Sequence, residues 1–392
     1  MFIIIVLAAV SGLIATDLYA PSLPAIALFF HQSINHTELT MSLFLVGFAF
    51  SQLFYGPISD YAGRKPLLIL GTILFMLGSL LCVVTTSFSL FCVSRILQGL
   101  AAGAGLSLAR VVMRDCYNGV LLAVKTSQMA IFIALTPAVA PLIGGVLQDF
   151  FGFRIVFAVL FAYGLLLFLL LCFGFRESIQ HREANLSVTH IVKSYRNLLS
   201  NFHFMHYVLI AGLAFSAIIL YANVMPFIVQ VQLHFSAAIN GVVLLLGALG
   251  VTVGAFTVSR VVKRISPRVP MQIGLILFSA SGLLLILSNL IFGLHIFILA
   301  PLIFLVTLGC GLIFPTAVAL AFSQIEVNIG IAGAIYGFTQ IFTTMLINFC
   351  LNGISEQGQT LLGIFYLILG LIGLGLLRVP VKDTFGMALE NR

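Results

Sequence analysis

The chain is a succession of apolar runs, each near the ~20 residues a helix needs to cross a bilayer, separated by short charged or Gly- and Pro-containing turns. The first six lie near residues 1–30, 39–60, 66–87, 89–112, 125–148 and 154–175. From Arg176 to His203 comes the one sizeable polar segment, holding Glu177, Arg182, Glu183, Lys193 and Arg196. No Asp, Glu, Lys or Arg then appears until Arg260, a distance too long for one span and right for two joined by a hairpin near Gln232-Leu233-His234. The uncharged run from Arg268 to Glu326 divides in the same way at Ser288-Asn289 and Gly293, and spans near 330–351 and 360–378 complete a set of twelve. Only helices satisfy every backbone polar group within one such run, so the fold class expected is all-α and membrane-embedded. Composition agrees: 61% hydrophobic and 7% charged residues over 392 positions, with a mean hydropathy of +1.20, cannot cover a soluble surface. The first run has no Lys or Arg before it and is expected to be a retained helix, not a cleaved signal.

The net charge of +7 is explained by its distribution and not by a nucleic-acid partner. If the turn at 56–66 faces the cytoplasm, all of the 18 Lys and Arg fall on inside loops or helix ends except Arg154, outside, and Arg95, within a span. Glu38, Asp149 and Glu356 are placed on outside loops, and both termini inside. The six cysteines are scattered and form no C-x-x-C pair, so they read as packing residues. His203 and His206 could share a helix face, but no carboxylate stands near them, and no metal site is expected. Gly103 and Gly105 follow no strand and precede no P-loop Lys, which excludes a nucleotide loop; no cofactor is expected. Asn35-His36-Thr37 and Asn185-Leu186-Ser187 fit glycosylation sequons that read as accidental. The 36 Phe and absent Trp offer soft aromatic walls to a cavity, or simply face lipid.

The turn Gly56-Pro57-Ile58-Ser59-Asp60-Tyr61-Ala62-Gly63-Arg64-Lys65-Pro66 is more than a hydrophilic hairpin. The positive-inside bias accounts for Arg64 and Lys65, but not for Asp60 at a helix end or for two glycines that permit backbone conformations closed to other residues. Short stretches also recur between the halves. Leu18-Tyr19-Ala20-Pro21-Ser22-Leu23-Pro24-Ala25-Ile26 returns as Leu220-Tyr221-Ala222-Asn223-Val224-Met225-Pro226-Phe227-Ile228, and Gly103-Ala104-Gly105-Leu106 as Gly309-Cys310-Gly311-Leu312. Repeated halves around a midplane site are a secondary-transporter plan. The division expected is 1–176 and 204–392 as two six-helix bundles, with 177–203 as a cytoplasmic linker.

The 56–66 turn resembles the loop signature of the major facilitator superfamily, Gly-x-Leu-Ala-Asp-Arg-x-Gly-Arg-Lys/Arg. Gly56, Asp60, Gly63, Arg64 and Lys65 match it, whereas Ile58 replaces the Leu and Tyr61 the first Arg. Arg95-Ile96-Leu97-Gln98-Gly99 matches the family's Arg-x-x-Gln-Gly pattern. Pro137-Ala138-Val139-Ala140-Pro141-Leu142-Ile143-Gly144-Gly145 resembles its antiporter stretch, with Ala140 in place of the first Gly. Asp17 to Pro24 and Ala109 to Asp115 look like the Bcr/CflA drug-efflux branch. The resemblance implies two pseudo-symmetric six-helix bundles around a central cavity, in a bacterial inner-membrane protein, a monomer that exports hydrophobic drugs or related small molecules in exchange for protons. It implies a cytoplasmic latch at Gly56, Asp60, Gly63, Arg64 and Lys65, and an antiporter-type gate at Pro137, Pro141, Gly144 and Gly145. Read from the residues, those prolines remove backbone donors and bend the helix, while the glycines admit a close neighbour.

Ionised side chains inside a membrane cost about 2.5–3.5 kcal/mol by insertion scales, so Asp17 and Arg95 are expected to face the cavity and couple protons. Tyr19, Gln98, Tyr221 and Asn223 are expected to line it with Asp17. A transporter of one defined metabolite is the alternative on the same fold. An enzyme would need clustered His, Asp or Cys at a membrane face and a channel repeated polar rings; neither is present.

Overall fold

The computed structural model describes residues 1–117, 119–179, 188–261, 265–323, 325, 329–352 and 358–379. Expectations that fall on Arg182, Glu183, Asn185, Lys263, Arg264, Glu326, Glu356, Lys382 and Arg392 lie outside these residues.

The first span is broken. Helix α1 (Phe2–Asp17) gives way to a tight turn at Ala20–Ser22 and a short α2 (Leu23–Phe29), because Pro21 and Pro24 each lack the N–H that would continue the ladder. Five long helices follow: α3 (Ile34–Ala62), α4 (Arg64–Val84), α5 (Phe88–Cys116), α6 (Gly119–Phe151) and α7 (Phe153–Gly174). A short α8 (Val188–Leu199) stands in the polar segment. Then come α9 (Phe202–Pro226), continued by a wide helical turn at Phe227–Gln232, and α10 (Ala237–Val261). The last described helices are α11 (Arg268–Phe292), α12 (Ile296–Phe322), α13 (Ile329–Asn352) and α14 (Gln359–Arg378). Eleven segments are long and apolar enough to cross a bilayer among the described residues; α6 carries a shorter apolar stretch, Leu135–Phe151.

The turns fall close to where the charges placed them, with differences of physical interest. Ser33 caps α3, its Oγ accepting from His36 N–H at 3.3 Å, so this helix starts before residue 39. Glu38 therefore sits on α3, fully buried, and not on an outside loop. Asp149 likewise belongs to the last turn of α6. Ser288 and Asn289 lie within α11, which runs on to Gly293 at φ +73°.

Packing is partly sequential and partly long-range. Helices α3, α4 and α1 gather around α5, and α10, α11 and α9 around α12. The two broadest contacts between the halves are α6 with α10 and α3 with α13, and the broken first span adds smaller ones, the turn at 20–22 touching α9 and α10. Where α3 meets α13, Phe338 stacks on Phe342 at 5.1 Å between centroids, and Phe50 meets Phe338 edge-on at 5.6 Å. The amphipathic α8 touches both groups: it packs on α9 and α13, and Tyr195 Oη donates to the Leu53 carbonyl of α3 at 3.0 Å. Partial burial pushes this phenol up to about 12, so it remains a donor at any ordinary pH.

Candidate functional site

Asp17 closes α1 where the first span breaks, and is 8% exposed. Thr16 Oγ1 lies 3.5 Å from its Oδ1, a weak contact, and Oδ2 has no hydrogen-bond partner among the described residues. The break also strips helix packing down to bare backbone: the Leu18 carbonyl rests on Gly144 of α6, where any Cβ would collide with it. Next to it, a Cβ on Gly145 would run into the Ala237 carbonyl of α10, and one on Gly241 would stand 2.7 Å from the Pro141 carbonyl oxygen. Helix α6 is thus clamped between the broken first span and α10, with Pro137 and Pro141 both inside it. At its end Asp149 accepts the Ala237 N–H at Oδ1 (3.0 Å) and the Ala238 N–H at Oδ2 (2.8 Å), capping α10 from another helix. Gln230 Nε2 adds a bond to the Pro21 carbonyl at 2.8 Å.

Arg95 does not meet Asp17. Its guanidinium is fully buried over the ring of Tyr19 (4.2 Å) and against Phe44 (4.6 Å). Nη1 donates to Gln98 Oε1 at 2.6 Å, and Gln98 Nε2 donates to Ser79 Oγ at 2.8 Å. Tyr19 Oη pairs with Thr40 Oγ1. In the other group Tyr221 Oη donates to the Val243 carbonyl, and Asn223 Nδ2 to Asn348 Oδ1 at 2.5 Å. Tyr19, Gln98, Tyr221 and Asn223 therefore spend their polar ends inside the helix packing.

The open space lies elsewhere. A cavity of about 340 Å³ is walled by α3, α5 and α6 on one side and α12 and α13 on the other. Gln52, Arg110, Arg114, Met129, Phe322 and Tyr336 are among its lining residues; Asp17, Tyr19, Gln98, Tyr221 and Asn223 are not. None of the five expected wall residues lines this cavity; Tyr19, Gln98, Tyr221 and Asn223 are held instead by Thr40, by Arg95 and Ser79, by the Val243 carbonyl and by Asn348 within their own helix groups. Arg110 and Arg114, expected as charges at a helix end and as part of the 109–115 stretch, sit on the cavity side of α5, whose 29 residues carry them into the cleft.

The 56–66 turn is a dense electrostatic knot. Gly63 stands at φ +97°, a conformation that favours glycine, and lets α4 start directly after α3. Arg64 Nη1 is 2.6 Å from Asp60 Oδ1, Arg64 Nε is 3.0 Å from Asp115 Oδ2, and Nη1 also reaches Ser59 Oγ. Glu177 caps α4, accepting from Arg64 N–H at 3.0 Å and Lys65 N–H at 3.2 Å, while Lys65 Nζ donates to the Cys172 carbonyl at 3.0 Å. All of these partners precede residue 178, so in this structure the turn braces α3, α4, α5 and the end of α7 to one another. Gly56 lines the cavity.

Comparison with known proteins accords with this architecture. The sequence profile described as Major Facilitator Superfamily matches residues 5–347. The chain belongs to this superfamily. Multidrug resistance protein D of Escherichia coli (strain K12) is 28% identical to it over 379 residues, covering 95% of this chain and 93% of that protein. Uncharacterized MFS-type transporter YdgK of Bacillus subtilis (strain 168) is 28% identical over 369 residues, covering 93% and 91%. Multidrug resistance protein MdtL of Salmonella paratyphi C (strain RKS4594) is 28% identical over 329 residues, covering 83% and 81%. The crystal structure of the human organic anion transporter MFSD10 (TETRAN) shares the fold, with a TM-score of 0.65 at 15% identity over 96% of this chain and 98% of that one. The chain is a major facilitator transporter, multi-pass in its membrane and not an enzyme, and it moves a small molecule.

Proposed function

We propose that this transporter exports hydrophobic drugs or related small molecules in exchange for protons. The observation that carries the reading is the mainly apolar cavity between the two helix groups, large enough to admit a small molecule. Relatives named for multidrug resistance over most of their length support the substrate class. Residues 1–176 and 204–392 act as the two moving bundles, 177–203 as their cytoplasmic linker, in a monomer of the bacterial inner membrane with both termini inside. The residues lining the cavity lie at the ends that the charge pattern puts inside, so this conformation is open to the cytoplasm, with the α6–α10 and Gln230–Pro21 contacts closing the other face.

Asp17 is the coupling carboxyl in this reading. It stands at the discontinuity of the first span, against the clamped stretch of α6, where opening of the outer face changes its access to water. The test is accumulation of a lipophilic dye in inverted membrane vesicles energised by a pH gradient. Accumulation that collapses when the gradient is discharged supports the reading, whereas uptake indifferent to the gradient and to dye identity overturns it.

A further inference from the structure

The cavity has an electrostatic bias that a wall for purely apolar molecules does not need. Among the described residues its only charged lining residues are Arg110 and Arg114, and no acidic side chain lines it. They are four apart on α5, so both guanidinia project from one helix face, where like charges repel by about 0.2–0.5 kcal/mol. Neither makes a hydrogen bond, ion pair or ring contact among the described residues. The neighbouring carboxylate, Asp115, is already taken: its Oδ2 holds Arg64 Nε at 3.0 Å and accepts from Ser178 Oγ at 2.9 Å. Cations at an inner helix end are expected from topology alone, but that bias would be met equally by side chains turned to lipid headgroups. These two are turned to the cleft, with the Tyr336 ring on the facing helix and apolar Met129 and Phe322 beside them.

We infer that Arg110 and Arg114 form an anion-binding subsite, and that the substrates are amphipathic organic anions whose carboxylate, sulfonate or phosphate seats on these guanidinia while the apolar body lies against Met129 and Phe322. Two guanidinium forks match the oxygens of such groups, and the lack of water-like freedom in a half-enclosed cleft strengthens the pairing. The inference rests on the cavity being the export route, but its test reads binding and not export.

The probes are dansyl-leucine and its neutral analogue dansyl-leucinamide, which share a body and differ in the carboxylate. Binding to the purified full chain in phosphatidylcholine nanodiscs is followed by dansyl fluorescence at fixed pH, with no gradient present. Loss of a charged hydrogen-bonding partner corresponds to about tenfold or more in affinity. The wild type is expected to prefer dansyl-leucine by at least about that factor, Arg110→Gln to abolish the preference while still binding the amide, and Arg110→Lys to restore part of it. Retained amide binding and an unchanged melting temperature show that the variants are folded. Equal affinity for the two probes, or a preference that survives in both Arg110→Gln and Arg114→Gln, overturns the inference. So does anionic phosphatidylglycerol held through Arg110 that dansyl-leucine does not displace, since the site would then belong to a lipid headgroup. Failure of gradient-driven export with the probe preference intact would leave this site standing and remove the proton-coupling reading alone.

Discussion

Asp149 reaches across from α6 to hold the start of α10, its Oδ2 accepting the Ala238 N–H at 2.8 Å. The carboxylate meets two free backbone donors and the positive end of a helix at once, a geometry that opening of this face must break. Loss of a cap costs about 0.5–2 kcal/mol, so Asp149→Ala is expected to shift the balance between conformations by roughly two- to thirtyfold toward the outward-open form. Spin labels at Gln148 and Ile239 should report a longer distance population in the variant; an unchanged distribution would mean that the cap does not contribute to closure.

The glycines of α6 make a sharper test because their neighbours are backbone. A Cβ on Gly144 meets the Leu18 carbonyl and one on Gly145 the Ala237 carbonyl, neither of which turns aside as a side chain does. Gly144→Ala and Gly145→Ala are expected to destabilise this conformation by about 1–3 kcal/mol, the usual range for overpacking, and to impair transport. Gly375 has nothing within 4 Å, so Gly375→Ala serves as the control and should be silent in both thermal unfolding and dye transport.

Arg64 is 5% exposed while its partners Asp60 and Asp115 are 44% and 20% exposed, so water screens part of each pair. Removing one partner of a fully buried pair costs about 3–5 kcal/mol, and the exposure here reduces the expectation for Arg64→Ala to roughly 1–2 kcal/mol. The loss should appear as a lower melting temperature even without substrate, because every partner of the knot lies on the first-half side. A variant that melts normally but loses transport would instead restore the reading of this turn as a latch between halves.

What the sequence showed and what it hid divide along one line. Helices were legible because each must satisfy its own backbone in a bilayer, so length and charge gaps mark them without reference to their neighbours. Helix α8 was hidden by its polar composition, although Tyr195 and Leu198 stand on the same side of it as any amphipathic pattern would place them. The cavity wall was not legible, since it depends on which helices pair at a distance. Tyr19 and Tyr221 look like ligand-facing residues in the sequence, yet Thr40 and the Val243 carbonyl claim their hydroxyls. Arg110 looks like a topological charge, and only the placing of the end of α5 across a cavity from α12 and α13 turns it into a wall residue. Glu38 misled for a local reason: Ser33 starts α3 early and draws the carboxyl into the protein.

Asp17 and Arg95 were expected to act as a pair, and their separation changes the experiment. Arg95 is occupied with Tyr19, Phe44 and Gln98, so Arg95→Ala is expected to act through packing of the first helix group, lowering the melting temperature without moving the pH dependence of transport. Asp17 has an oxygen without a hydrogen-bond partner among the described residues, and in the proposed mechanism it exchanges a proton when water reaches the break in the first span. Asp17→Asn keeps the shape and removes the titration. It should abolish accumulation driven by a pH gradient, while exchange of labelled for unlabelled substrate continues, because exchange needs alternating access but no net proton movement. Reconstituted Asp17→Asn protein that still builds a substrate gradient would exclude Asp17 as the coupling site. The next variant is then Glu38→Gln, since Glu38 is the other buried carboxyl within a span among the described residues.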